Sequence, residues 1–316
     1  MDFKKLPISQ SLITKFLYKG DERENVCAKN IYHLHIIKSH RRTTESMTKG
    51  HFFETLCIGR CARGQKQLDL PRKRLLKAKQ LENIKREKLG LPLLLGDKTA
   101  DQERIEQQAK RFKILCAKYQ INPIEENTQT RIKVPWHRNP DVHLSMEFDI
   151  FPTAIMTDEK IKGNPSDTGL RLAIIDIKLT ADLASTYGEF AWGSPEYMDH
   201  TQGYMYHYGA RQIVNHVDMN PHMTSILTRN VIELIKEDNL RFYYWVFNYK
   251  KEVLEDKLVK VNWEPTVEGE LHEMINKTVN LIDYYEKLDW PVNPDYKICK
   301  DCPVIDCKNR SMVQSV

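Results

Sequence analysis

No long apolar run is present. The longest uninterrupted stretch, residues 242–247, falls far short of the ~18 residues a membrane-spanning helix requires. The chain has no internal repeat and no low-complexity tract, which excludes solenoids, propellers and fibrous arrays. Its opening residues, MDFKKLPISQSLITK, lack the apolar centre of a secretory leader, so the expectation is a cytoplasmic, reducing setting. Charge of one sign is not in large excess either, at +5 over 316 residues. With 41% hydrophobic and 29% charged residues, the composition excludes a disordered chain and leaves one large globular domain or two ordinary ones. Seven cysteines, an odd number in a reducing compartment, point to thiols or metal ligands more naturally than to a disulfide framework.

The charge that is present is concentrated. Residues 60–90 hold eleven Lys and Arg against three acids, a net +8 that leaves the remainder of the chain at −3. A dense cationic track suits nucleic-acid phosphates, and Arg72, Lys73, Arg74, Lys77 and Lys79 are its candidate DNA contacts. A solvated helix face is the alternative reading.

Apolar residues at spacings of three and four predict helices over residues 9–17, 26–37, 44–58, 73–89 and 100–119. The period then changes. β-branched, alternating stretches predict strands over 128–134, 142–156, 169–179, 240–249 and 258–263, with helices over 195–208, 223–237 and 267–288. The expected fold class is α/β, with a central mixed sheet of about five strands flanked by helices. Three regions follow: a helical part, 1–125, carrying the basic arm 60–90; a core, 126–290, completed by helix 44–58; and a cysteine-rich tail, 291–316.

The segment LRLAIIDIKLTAD, residues 170–182, carries the chemistry. In a strand, Ala173, Ile175, Ile177 and Leu179 face one way, and Leu172, Ile174, Asp176 and Lys178 the other. In LSMEFDIF the same alternation puts Leu144, Met146, Phe148 and Ile150 on one face, with Glu147 and Asp149 opposite. Unpaired acids inside a sheet are costly, and a divalent cation removes that cost. Two carboxylates, a main-chain carbonyl such as that of Ile177, water and a phosphate suit Mg²⁺ or Mn²⁺. Lys178 could then orient or deprotonate the attacking water. D-x-K also suits a plain ion pair at a strand end.

An acid on one strand, D-x-K on the next, and Gln202 with Tyr206 as Q-x-x-x-Y on a following helix resemble the PD-(D/E)XK nuclease superfamily in its RecB-like exonuclease branch. The resemblance places Asp149 and Asp176 at the metal-binding carboxylates, Lys178 at the catalytic lysine, and Gln202 and Tyr206 at the additional helical motif. It also implies a restriction-endonuclease-like core. KGHFFETLCIG is similar to the preceding helix of these enzymes, where a His or Glu helps to hold metal, so His51 and Glu54 join the candidates. His51 follows Gly50 directly and Glu147 stands where a Gly is frequent, two departures from the pattern.

The tail reads Cys299-Lys-Asp-Cys302-Pro-Val-Ile-Asp-Cys307, a C-x2-C-x4-C spacing that suits metal without choosing one. Members of the RecB-like branch that carry a four-iron (4Fe-4S) cluster place one cysteine early and three late. The resemblance therefore implies Cys27, Cys299, Cys302 and Cys307 as cluster ligands. Zn²⁺ in the same thiolates is the competitor. Cys57 and Cys61, four apart, could substitute as ligands, although buried cysteines of this kind ordinarily act as small apolar residues, as Cys116 is expected to do.

Taken with the resemblance, these residues imply a metal-dependent DNA nuclease, a single-strand-preferring exonuclease with a structural iron-sulfur cluster. Its partners would be single-stranded DNA ends and replication or recombination proteins, with no membrane. The alternatives are a non-catalytic DNA-binding protein with a zinc-bound tail, and a PD-(D/E)XK endonuclease.

Overall fold

The computed structural model describes residues 2, 5–18, 20–22, 26–39, 44–59, 73, 76–77, 79–93, 99–156, 170–188, 190–293, 299, 302, 304 and 307. A short strand β1 (Ile8–Ser9) leads into α1 (Gln10–Phe16), then a small hairpin of β2 (Leu17–Tyr18) and β3 (Asp21–Glu22). Helix α2 (Ala28–Ile31) runs on into a π-helical turn (Tyr32–Ile36), and α3 (Glu45–Ile58) and α4 (Ala100–Lys118) follow. Thr44 and Thr99 begin these last two helices by accepting from the backbone N–H groups of Met47 and Gln102, which satisfies donors the helix cannot pair internally.

The sheet is built from β4 (Thr128–Trp136), β5 (Asn139–Met156), β6 (Leu170–Thr180), β7 (Leu240–Asn248) and β8 (Glu255–Val261), with β1 added. β5 is the hub, antiparallel to β4 and β6 and parallel to β1. β6 and β7 are parallel and β7 and β8 antiparallel, so the sheet is mixed, as expected. Helices α5 (Thr201–Gln212), α6 (Arg229–Lys236) and α7 (Pro265–Lys287) complete the fold. Among the described residues no helix is long and apolar enough to cross a membrane.

Two cores sandwich the sheet. Leu172 and Ile174 join the core of α1, α5 and α7, while Ala173, Ile175 and Ile177 join that of α3 and α4, as strand alternation requires. Phe53 packs on Phe247 at 5.1 Å between ring centres and Phe112 on Trp245 at 5.1 Å. Each such buried ring stabilises the layer by roughly 1.5–3 kcal/mol. On the other face α5 lies close to the sheet, since a Cβ on Gly209 would run into the Met146 sulfur.

Three expectations need correction. Ile150 does not share the face of Phe148: it enters the α3/α4 core, the alternation breaking between the Thr130–Phe148 and Thr128–Ile150 pairs, where Gln129 of β4 has a left-handed backbone. The helix expected over 195–208 is a 3-10 turn (Pro195–Tyr197) followed by α5. The one expected over 223–237 begins only at Arg229, where Thr228 caps it by accepting from the Val231 N–H.

Candidate active site

The register of β5 on β6 sets Ile150 opposite Ile175, which brings Asp149 and Asp176 to one place. Asp149 Oδ2 accepts the backbone N–H of Ile177 at 2.7 Å. The N–H and C=O of one residue leave an extended strand on the same edge, so the Ile177 carbonyl faces the same gap. Asp176, 2% exposed, accepts from Gln202 Nε2 at 2.7 Å through Oδ1. Its Oδ2 meets the Lys178 ammonium at 2.5 Å in a short ion pair. Lys178 Nζ also lies 5.9 Å from the centre of the Tyr244 ring.

Helix α5 supplies Gln202 and, one turn on, Tyr206. The Tyr206 ring stands edge-on to Phe148 at 5.3 Å and to Phe242 at 6.0 Å. Burial, then Asp176 and Asp149, raise its phenol pKa, so Tyr206 stays neutral and bonds to Gln202 and the Glu147 main chain. Glu147 itself turns outward, to Arg131 at 2.5 Å.

From the opposite core, α3 contributes Glu54 and His51. Glu54 Oε1 accepts from Gln129 Nε2 at 2.7 Å, and Glu54 Oε2 lies 3.7 Å from His51 Nδ1. The His51 side chain is 61% exposed, which places it at the rim. Burial would raise the Glu54 pKa, but hydrogen bonds from His51 and Gln129 and the charge of Lys178 hold it below the ordinary carboxylate value. Asp149 moves the other way: burial, Asp176 and Glu54 push it well above its usual range. Asp176 is also raised, by burial first, with Lys178 opposing. Burial would lower Lys178, yet Asp176 and Asp149 keep it protonated, with its pKa above the ordinary lysine value.

Three carboxylates therefore surround one ammonium, and proton uptake at Asp149 and Asp176 is how such a site relieves excess negative charge when nothing else does. A divalent cation would serve the same end. Among the described residues, however, no three His, Cys, Asp or Glu side chains already stand as a metal-holding group, so carbonyl, water or phosphate oxygens would have to complete the shell.

Gln129 was not foreseen. It has a left-handed backbone, φ +48°, and so left no mark in the strand alternation of β4. Because ionised Glu54 can only accept, the amide nitrogen must face it, which turns Oε1 away, buried and without a partner among the described residues. Gln129→Asn keeps an amide at ease with positive φ but loses the reach to Glu54. We expect divalent-metal affinity to fall about tenfold or more with the melting temperature little changed, measured by titration calorimetry and thermal denaturation.

Of the candidate cluster residues, Cys27 caps α2 and is buried, as are Cys299 and Cys302, with Cys307 half-buried. Asn30 Nδ2 donates to Cys302 Sγ at 3.0 Å and the Lys29 N–H to the Pro291 carbonyl at 3.2 Å, so the tail lies against α2. The thiols do not form a closed cage among the described residues. Cys57 and Cys116 belong to the α3/α4 core. Burial, then Cys116, pushes the Cys57 thiol far up, and burial pushes Cys116 to about 12, so both are packing thiols. Cys61 lies outside the described residues, as do Arg72 and Arg74. In the basic arm Lys73 and Lys77 are exposed, whereas Lys79, expected to contact DNA, is buried at 5% exposure.

No protein family matches this chain, and no curated protein matches it in sequence. Among solved structures it is similar to one from Eubacterium rectale described as a "putative exonuclease", with a TM-score of 0.52 at 13% identity, over 98% of this chain and 88% of that one. The likeness is one of fold.

Proposed function

We propose that this protein is a Mg²⁺- or Mn²⁺-dependent deoxyribonuclease, a single-strand-preferring exonuclease that hydrolyses phosphodiester bonds. The observation that carries the reading is the meeting of buried Asp176 with half-buried Asp149 and Glu54 around Lys178, held by Gln202 and Gln129. The similar structure described as an exonuclease supports it further. Asp149, Asp176, the Ile177 carbonyl and Glu54 would hold the metal, with His51 at the rim. When bound, the metal lowers the pKa of water and offsets charge on the phosphate. Lys178, as an ammonium, orients the attacking water and neutralises charge on the reacting phosphate oxygens. Gln202 fixes Asp176, and Tyr206 fixes Gln202.

End-labelled single- and double-stranded DNA incubated with Mg²⁺ or Mn²⁺ tests this directly. The expected result is degradation from ends, faster on single strands and absent with EDTA. A folded, metal-loaded protein that binds DNA and never cuts it would overturn the reading in favour of a binding module.

Cys27, Cys299, Cys302 and Cys307 are proposed to hold a structural 4Fe-4S cluster that ties α2 to the tail, with no part in hydrolysis. Anaerobically purified protein should contain about four iron and four sulfide per chain, and Cys302→Ser should lose both. One zinc per chain with no iron would replace the cluster by zinc.

A further inference from the structure

The loop between β6 and α5 holds aromatic rings outward on a fixed frame. The Ala184 N–H donates to Asp182 Oδ1 at 2.8 Å, the Gly193 N–H to the Ser185 carbonyl at 2.7 Å, and Ser185 Oγ to the Tyr187 carbonyl at 3.2 Å. A Cβ on Gly193 would collide with the Ala184 carbonyl oxygen, so the loop closes only with glycine there. From β8, Lys257 Nζ donates to the Trp192 carbonyl at 2.5 Å. A loop tied at so many points could have turned its rings inward. Instead Tyr187 is 87% exposed, Tyr197 62% and Phe190 38%.

These rings connect to the candidate active site. Lys178 Nζ lies 5.9 Å from the centre of Tyr244, Tyr244 packs edge-on to the buried Trp192 at 5.6 Å, and Phe190 stacks on Trp192 at 5.3 Å with 14° between planes. The ladder ends in solvent. Three links of less than 6 Å each put Phe190 within about five nucleotides of Lys178 at the roughly 3.4 Å stacked spacing.

We propose that the exposed face of Phe190, with Tyr187 in the same loop, is a stacking site for an unpaired base of the strand whose phosphate reaches Lys178. Singly exposed apolar side chains are ordinary; a pinned loop displaying three aromatics, one of them parallel-stacked on a ladder to the catalytic lysine, is not. Phe190 offers a π face and no hydrogen-bonding group, so it would hold any base and read no sequence. Inside a duplex both faces of a base are covered by its neighbours, so the site takes single strands. This inference rests on the nuclease reading and names the part of the substrate that the loop recognises.

The test uses the full-length chain carrying Asp176→Asn, so that the strand is not consumed, and a set of single-stranded oligonucleotides with one abasic residue moved through the positions nearest the end. One position should weaken binding roughly 5- to 150-fold, and adding Phe190→Ala should flatten that profile while Phe190→Tyr restores it. Tyr187→Ala, which alters an almost fully exposed ring, should reduce the same penalty and decides the matter if Phe190→Ala fails to fold. A profile that is flat from the start, or one unchanged in both alanine variants, overturns the stacking site and leaves the nuclease reading standing. Absence of both binding and cleavage of any nucleic acid by the wild-type chain overturns the two together.

Discussion

Asp176→Asn and, separately, Lys178→Ala are expected to slow phosphodiester hydrolysis by roughly 10²- to 10⁴-fold without loss of the fold. Asn can still accept from Gln202 Nε2, so the α5 contact at 2.7 Å survives. What disappears is the charge that faces Lys178 and any divalent cation. Lys178→Ala removes the ammonium that opposes protonation of Asp149 and Asp176, so both take up protons and the site loses its pull on metal. Single-turnover degradation of end-labelled DNA at high metal concentration measures the effect. Arg131→Ala, which removes an exposed ion pair with Glu147, serves as the control and should change the rate by less than a few-fold. Asp176→Asn retaining activity within tenfold of wild type would sink the assignment.

The second large effect concerns stability. Metal-free protein should lose stability as the pH rises above about 4, and Asp149→Asn should remove much of that loss. Burial, Asp176 and Glu54 raise the Asp149 carboxyl above its unfolded value of about 3.9. Between those two values the folded state binds more protons than the unfolded one, so the free energy of unfolding falls with rising pH. The contribution is complete below the unfolded pKa and gone above the folded one. Asp101 behaves oppositely: burial opposes its ionisation, but Lys250 and Lys49 hold it low, so its stabilisation is lost as the pH drops. Mg²⁺ or Mn²⁺ should restore stability by about 2.7 kcal/mol at a hundred times its dissociation constant, and more at pH 8 than at pH 5, where protons compete for the same oxygens. Denaturation at both pH values, with metal and with EDTA, checks this. Parallel pH profiles for wild type and Asp149→Asn would contradict it.

The parts of the site that follow strand and helix periods were legible in the sequence. Asp176 and Lys178 share a face because side chains alternate, and Gln202 and Tyr206 share one because residues four apart on a helix do. The mixed sheet was legible too, since its strands are β-branched and bounded by turns. What escaped had no period to reveal it. Gln129 sits at a positive φ inside a strand, Ile150 crosses to the other core where β5 passes Gln129, and Lys79 is buried within a cation-rich stretch. The aromatic loop was visible only as composition. That Phe190 stacks while Tyr187 is displayed depends on backbone ties made by Ala184, Ser185 and Gly193, and nothing in their spacing announces them.

The contact between α2 and the tail also bears on the order in which the molecule is made. Asn30 and Cys302 are 272 positions apart, so at a synthesis rate of about 5–20 residues per second the partner of α2 emerges from the ribosome roughly a quarter of a minute to a minute later. Four helical residues and one π-helical turn are too short to hold together alone for that time. An early helix, α2, is thus among the last elements to be finished, and Cys27 stays open to the surrounding solution until the segment holding Cys302 arrives.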